Sequence, residues 1–261
     1  MKKIVLLLIV AIFVLSGCQS QSAEEPLKVG MELKYPPFET KDANGNPDGA
    51  SVMLANKLGE YLGREIEIVE TDYGSLIPAL EQGKIDLIIS SMTITPAREE
   101  VVDFSEPYTN SQLMMLVYKD SKVQSAEDLD DPSIIIASKT GTIGALWAAQ
   151  NAPNAQIRNI DEEASAVLEV AQGKADVFIY DPISIIRHHE NYPDTTRAIL
   201  EPLPNTKGWG IAMRKGEEEL KEKINAFIEK AKTDGTYDKI RETYLQDKIK
   251  EFEGYGLEFF F

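Results

Sequence analysis

Beyond residue 26 the chain alternates short apolar runs with amphipathic stretches. Lys28–Met31, Ile66–Val69, Asp86–Ile89, Ser133–Ala137 and Asp176–Tyr180 are runs of the length and composition of buried strands. Between them, Val52, Leu54, Ala55, Leu58, Tyr61 and Leu62 recur at helical spacing and stop at Gly63, a natural C-terminal breaker. Leu220, Ile224, Phe227, Ile228 and Ala231 mark a later helix ending near Gly235. Strands alternating with helices predict an α/β fold whose sheets are mainly parallel and covered by helices. One motif occurs twice, ninety positions apart: Gln82-Gly83-Lys84-Ile85-Asp86 and Gln172-Gly173-Lys174-Ala175-Asp176. Each copy follows a helical stripe and precedes an apolar strand. The repeat is either a common helix-to-strand joint met twice by chance or the mark of two similarly built lobes. Two lobes would make Ser90-Ser91 and Tyr180-Asp181, just past the two strands, face each other, since open α/β sheets hold ligands outside the carboxyl ends of their strands.

The N-terminal segment stands apart. Lys2 and Lys3 precede twelve apolar residues, Ile4 to Leu15, too few to span a bilayer comfortably but suited to a signal-peptide core. Leu15-Ser16-Gly17-Cys18 resembles the lipobox of bacterial lipoproteins, which implies cleavage before Cys18 and lipidation of its thiol. Residues 1–17 are then a signal peptide and 18–26 a polar tether, and the lipid is the expected membrane anchor. Gln19 after Cys18 is not an inner-membrane retention signal of the aspartate type, which bears on placement only in an organism with two membranes. Cys18 is the only cysteine, so an intramolecular disulfide is excluded and a thiol–metal site disfavoured. Removing residues 1–17 takes the formal charge from −16 to −18 and leaves 244 residues. Such a surface repels polyanions, so nucleic acid is not an expected partner.

The sequence carries no catalytic constellation, no metal set and no glycine-rich cofactor loop. His188 and His189 are adjacent, so their side chains diverge and read as a solvated helix surface. Ser91, Thr93, Thr95 and Arg98 form a polar run directly after a strand. Pro96 suits the first turn of a helix with Thr95 as its N-cap, which places Arg98 beside the loop. A guanidinium there can grip a carboxylate with two parallel bonds. Spacing alone equally allows a surface ion pair with Glu99 or Glu100.

Taken in order, Tyr35-Pro36-Pro37-Phe38, Leu76-Ile77-Pro78-Ala79-Leu80, Gly83-Lys84-Ile85-Asp86, Ser90 to Arg98, Asp103-Phe104-Ser105, Pro107-Tyr108, Gly141-Thr142 and Asp234-Gly235-Thr236-Tyr237 resemble the polar amino-acid family of extracytoplasmic solute-binding proteins. The likeness runs from about Leu27 to Tyr244. It implies a two-lobe periplasmic-binding-protein-like (Venus flytrap) fold with two hinge crossings, near Ser111–Met115 and Leu203–Gly208. Lobe 1 would comprise 27–112 and 208–261, and lobe 2 would comprise 113–207. The resemblance makes Arg98 the clamp of an α-carboxylate, helped by the backbone N–H groups of Thr93 and Ile143. It makes Asp181 the acid that holds an α-ammonium, with the Thr93 hydroxyl and a carbonyl near Ser91. Tyr35 and Tyr73 would sandwich the ligand side chain, although simple core packing also suits them, and Glu32 and Lys139 would line its far end. Ser90, Met92 and Thr142 complete the expected ligand-binding set.

Two departures stand out. Ile143 replaces a polar or small residue, removing a hydroxyl contact, and Gly49-Ala50-Ser51-Val52-Met53 lacks the usual acidic residues. The tail from Gln246 runs past the usual end; Phe259-Phe260-Phe261 either packs on its own lobe or offers a sticky partner surface. The implied function is that of a monomeric binding protein, not an enzyme, delivering a polar α-amino acid to an ABC permease from the periplasm or outer face of the membrane. Glu32 and Lys139 together suit a neutral amide, so glutamine is the first expectation and a basic amino acid the second. The rivals are a receptor's sensor module, for which no following membrane span or signalling domain appears, and a dehydratase of cyclic acids, which would need Glu32 as its proton-transfer group.

Overall fold

The computed structural model describes residues 25–110, 112–204 and 207–261. The signal peptide, Cys18 and most of the tether lie outside the described residues, as do Ser111, Asn205 and Thr206 in the two expected crossings.

The chain begins with β1 (Leu27–Met31), a small antiparallel pair β2 and β3 (Thr40–Lys41 and Pro47–Asp48), α1 (Ala50–Leu62) and β4 (Ile66–Glu70). It continues through α2 (Leu76–Glu81), β5 (Leu87–Ile88), α3 (Pro96–Glu99) and β6 (Val102–Phe104). A second set follows: β7 (Met114–Tyr118), β8 (Ile135–Lys139), α4 (Ile143–Asn151), β9 (Gln156–Ile160), α5 (Glu163–Ala171), β10 (Val177–Tyr180), α6 (Pro182–Asn191) and β11 (Thr196–Ile199). The chain then contributes β12 (Ala212–Arg214), α7 (Glu218–Ala231), α8 (Thr236–Ile240) and α9 (Gln246–Gly254), the last two joined by a π-helical turn.

Two five-stranded sheets result, ordered β4-β1-β5-β12-β6 and β11-β7-β10-β8-β9. Within each, three strands run parallel (β4, β1, β5 and β9, β8, β10), and the fourth, β12 or β7, pairs antiparallel with both its neighbours. Each sheet is covered on both faces, which explains why its strands read as continuous apolar runs. In β7, Met115 and Val117 face one core while Met114 and Leu116 face another. In β5, Leu87 and Ile88 divide in the same way.

The repeated motif is one joint built twice. Gly83 and Gly173 adopt the left-handed conformation (φ 68° and 69°) that ends α2 and α5. Asp86 and Asp176 then tie the joint to the neighbouring strand. The Asp86 N–H donates to Lys28 O while its carboxylate accepts from Lys28 N (2.7 and 3.0 Å). Asp176 does the same with Ile135 (2.8 and 2.9 Å). Both aspartates therefore precede their strands as caps rather than opening them. The strand expected from Ser133 starts two residues later, because Ser133 closes a turn onto Asp131 Oδ1 with its N–H and hydroxyl.

Two further expectations change. The helix expected to run toward Gly235 stops at Ala231, and Gly235 (φ 88°) instead opens α8. His188 is not solvated. It is 8% exposed, with Nε2 2.7 Å from Glu163 Oε1, because the apolar face of α6 turns it inward; His189 diverges from it toward Thr196 (3.1 Å).

Candidate functional site

The two sheets present their strand ends to one cavity. From the first sheet come Glu32 just past β1, Ser90 and Ser91 past β5, and Thr93; from the second come Tyr180 at the end of β10, Asp181, Thr142 and Ile143. The expected facing of Ser90-Ser91 and Tyr180-Asp181 is thus met. Local sequence explains each placement. Asp181 caps α6, its Oδ1 accepting from Ser184 N (3.1 Å), with Pro182 as the first helical residue. Thr142 precedes α4 and ties its hydroxyl to Lys139 O (2.7 Å), and Ile143 is the first helical residue. Gly144 lets this helix end approach β10, since a Cβ there would stand 2.2 Å from Ile179 O.

The loop after β5 is held from below. Ser91 is the one described non-glycine residue with positive φ (50°). Its N–H donates to the Tyr108 hydroxyl (3.2 Å) and its Oγ to the Glu39 carboxylate (2.9 and 3.1 Å). The Ser90 hydroxyl accepts from Glu32 N (3.0 Å). Thr95 caps α3 by accepting from Arg98 N (3.3 Å), as the sequence predicts. The Tyr35–Phe38 loop rests on the start of α1, where Ala50 N and Ser51 N donate to Pro37 O and Phe38 O (both 3.0 Å). These bonds satisfy two N–H groups of the first turn of α1, which carries no acidic residue.

Arg98 is 5% exposed and makes no ion pair with Glu99 or Glu100; Glu99 lies 3.5 Å from Lys207. Its guanidinium donates to Thr93 O, to Gly141 O of the other lobe (2.8 Å) and to the Tyr73 hydroxyl (3.4 Å). It therefore sits just behind the cavity wall formed by Thr93 and Tyr73, not on it. Lys139 also lies off the lining. It forms a buried ion pair with Glu32 across the lobes, beside the Tyr73 ring (5.6 Å), while Glu32 Oε1 accepts from Tyr73 N (3.3 Å). The lobes are further bridged by Lys34–Glu162 (2.9 Å), an exposed pair of small energetic weight. Met92 departs from expectation: its side chain fills the core with Leu76 and Phe104, because the strand-to-loop alternation turns it away from the cavity. Glu32, Tyr35, Tyr73, Ser90, Ser91, Thr93, Thr142, Ile143 and Asp181 all line it.

Three carboxyl groups, of Glu32, Glu39 and Asp181, line the cavity against one lysine, Lys207. Asp181 Oδ2 and the Tyr35 hydroxyl are buried without a hydrogen-bond partner at bonding distance. Burial pushes the Asp181 carboxyl above its ordinary range, although the nearby Tyr35 hydroxyl opposes this. Glu39, 1% exposed, is pushed up to about 8 by burial, partly offset by its hydrogen bond from Ser91. Glu39 was not anticipated, nor were Trp209, Gln112, Leu113 and Lys207, whereas Tyr180 was expected to face Ser90-Ser91. Glu39 follows Phe38 in a recognisable loop, but only the sheet geometry brings it under Ser91. Beside the cavity, Glu163 receives Arg187 (2.6 Å) and His188. Burial alone would raise its carboxyl, but these partners hold it below the usual range.

Residues 27–247 match the family described as bacterial extracellular solute-binding proteins, family 3, and residues 1–19 match the prokaryotic membrane lipoprotein lipid attachment site. The L-arginine-binding protein of Pseudomonas aeruginosa is 30% identical over 98% of this chain and 99% of its own length. Two solved structures share the architecture. An ancestral arginine-binding protein bound to arginine has a TM-score of 0.75 at 33% identity, covering 85% of this chain and 99% of that one. The ancestral amino acid-binding protein AncCDT-1, a precursor of cyclohexadienyl dehydratase, has a TM-score of 0.74 at 36% identity, covering 84% and 95%. With two lobes closing on a polar cavity and a family match along nearly all the folded chain, this protein is a lipid-anchored, extracytoplasmic member of family 3 of the bacterial extracellular solute-binding proteins.

Proposed function

We propose that this chain captures a basic α-amino acid, L-arginine foremost, outside the cytoplasm and hands it to an ABC permease. One observation carries the choice of ligand: three carboxyl groups, of Glu32, Glu39 and Asp181, line the cavity, while Lys139 neutralises Glu32 and the lining lysine, Lys207, pairs with Glu99 (3.5 Å). Asp181, with an unpartnered buried oxygen, suits an α-ammonium. Glu39, which forms no ion pair among the described residues and accepts from Ser91, suits a second positive charge on the ligand that would take the place of its proton. The α-carboxylate would be met by Arg98, which must exchange its bonds to Thr93 O and Gly141 O for that contact, and by the N-terminus of α4 at Ile143. The arginine-binding relatives point the same way.

Glutamine becomes the second reading. A neutral amide needs Glu32 and Lys139 standing apart to flank it, and here they are bonded to each other. The dehydratase reading needs Glu32 free to move a proton, and it is engaged by Lys139 and Tyr73 N. Division at residues 112/113 and 207/208, with the chain crossing twice, lets each lobe carry half the contacts, so the ligand completes the set only on closure.

The deciding experiment is a thermal-shift screen of the twenty amino acids with ornithine. A ligand at about 100 times its Kd stabilises the fold by about 2.7 kcal/mol. Arginine, lysine or ornithine should raise Tm most; a larger shift with glutamine and none with arginine overturns the reading.

A further inference from the structure

The last residues of the chain lie beyond the stretch that matches the family, yet they are built into the back of the cleft. Phe260 lies 6.1 Å from Phe38 and 5.4 Å from Trp209, and the buried Phe261 lies 5.7 Å from Phe38 and stacks on Tyr237 (5.2 Å). Phe38 in turn stacks on Tyr35 at 5.5 Å, and both Tyr35 and Trp209 line the cavity. The two phenylalanines thus form a second layer behind the ligand wall.

Backbone contacts fix this layer to both inter-lobe crossings. Thr109 and Asn110, just before the first, donate to Phe260 O through the Thr109 hydroxyl and the Asn110 N–H (3.2 Å). Trp209, just after the second, donates its N–H to Thr109 O (3.1 Å) and packs on Phe260. Arg241 Nε holds Phe261 O at 2.9 Å. The same segment also reaches the other lobe. Leu257 packs against the first-lobe core and against the second-lobe cluster containing Met114, Phe178 and Ile185. The Tyr255 hydroxyl donates to Glu190 on α6 (3.4 Å).

We infer that residues 255–261 are a strap that joins the two lobes at the hinge, stabilises their closed arrangement and braces the aromatic wall of the cleft. It rests on the reading of the cleft as a ligand site that works by closure. Contacts made in the closed arrangement and broken on opening shift that equilibrium by their own free energy. The strap therefore slows escape of a trapped ligand without touching it.

The test uses the full chain with nitroxides attached at Glu81→Cys and Gln150→Cys, exposed positions on the two lobes. Tyr255→Ala with Leu257→Ala cuts the second-lobe attachment and leaves the phenylalanine anchors in place. Without added amino acid, the long-distance population should rise by about threefold or more. L-Arginine should dissociate about fivefold faster. Leu257→Met alone, which keeps the apolar contact, should match the parent, and Leu257→Ser replaces the double variant if that chain melts below assay temperature. Distance distributions that superimpose on the parent's overturn the strap. If the distances change but neither parent nor variant binds arginine, the strap stands and the proposed ligand falls.

Discussion

Arg98 shows how far residue type and spacing carry an argument. Its position after Thr95-Pro96 placed it in the first turn of a helix, and that is where it lies, capped as expected. Spacing could not choose between a surface ion pair and an inward guanidinium; burial against Thr93 O and Gly141 O decides for the second. Arg98→Ala should cost about 2–5 kcal/mol of binding, because it strands a buried carboxylate. Titration calorimetry should register this as a loss of about 30-fold to several thousandfold in affinity, and a change below about threefold excludes the clamp. Glu39 makes a prediction of a different kind. In the folded chain it holds its proton up to about pH 8, whereas the unfolded chain releases it near 4.5. The folded state binds the extra proton between those values, so stability falls as pH rises through that window, by at most about 1.4 kcal/mol per unit for one group. Melting of the ligand-free chain across the window should show the decline, and Glu39→Gln should flatten it. A basic ligand that replaces the Glu39 proton should also bind more tightly above pH 8 than below it, where a neutral amino acid should not.

Among the elements, α4 and β10 show how backbone packing builds the site. Both bring cavity-lining residues to the cleft, and Gly144 sets their separation, with Ile179 O where a Cβ would sit. Gly144→Val must push the helix outward and carry Ile143 and Thr142 with it. Overpacking of this sort costs about 1–3 kcal/mol of stability, and displacing the N–H of Ile143 should weaken ligand binding about tenfold or more. Calorimetry and melting read the two effects separately; unchanged affinity would remove the α4 terminus from the carboxylate site. Elements were legible where a breaker or cap marked them: Gly63 ends α1 in the left-handed conformation (φ 69°), and Gly83 and Gly173 end α2 and α5. Strand starts were less legible. Asp86, Asp176 and Ser133 are polar residues whose turn and cap bonds compete with the ladder, and apolar periodicity does not record that competition.

In the molecule as a whole, the two sheets have the same order and the same single antiparallel strand inserted from the other end of its set, and the cleft lies between their strand ends. The sequence by itself determined the α/β class, the double helix-to-strand joint, the lipid attachment motif and most of the cavity's lining. These depend on local periodicity, on glycine conformation and on side chains anchored next to strand ends. Only the tertiary structure decided that Glu32 and Lys139 neutralise each other, that Glu39 lies under Ser91, that Met92 turns into the core, that His188 is buried, and that the C-terminal phenylalanines back the ligand wall. Each of those facts is a meeting of residues far apart in the chain. Which charges become partners follows from how the two lobes meet, and no local pattern encodes that distance.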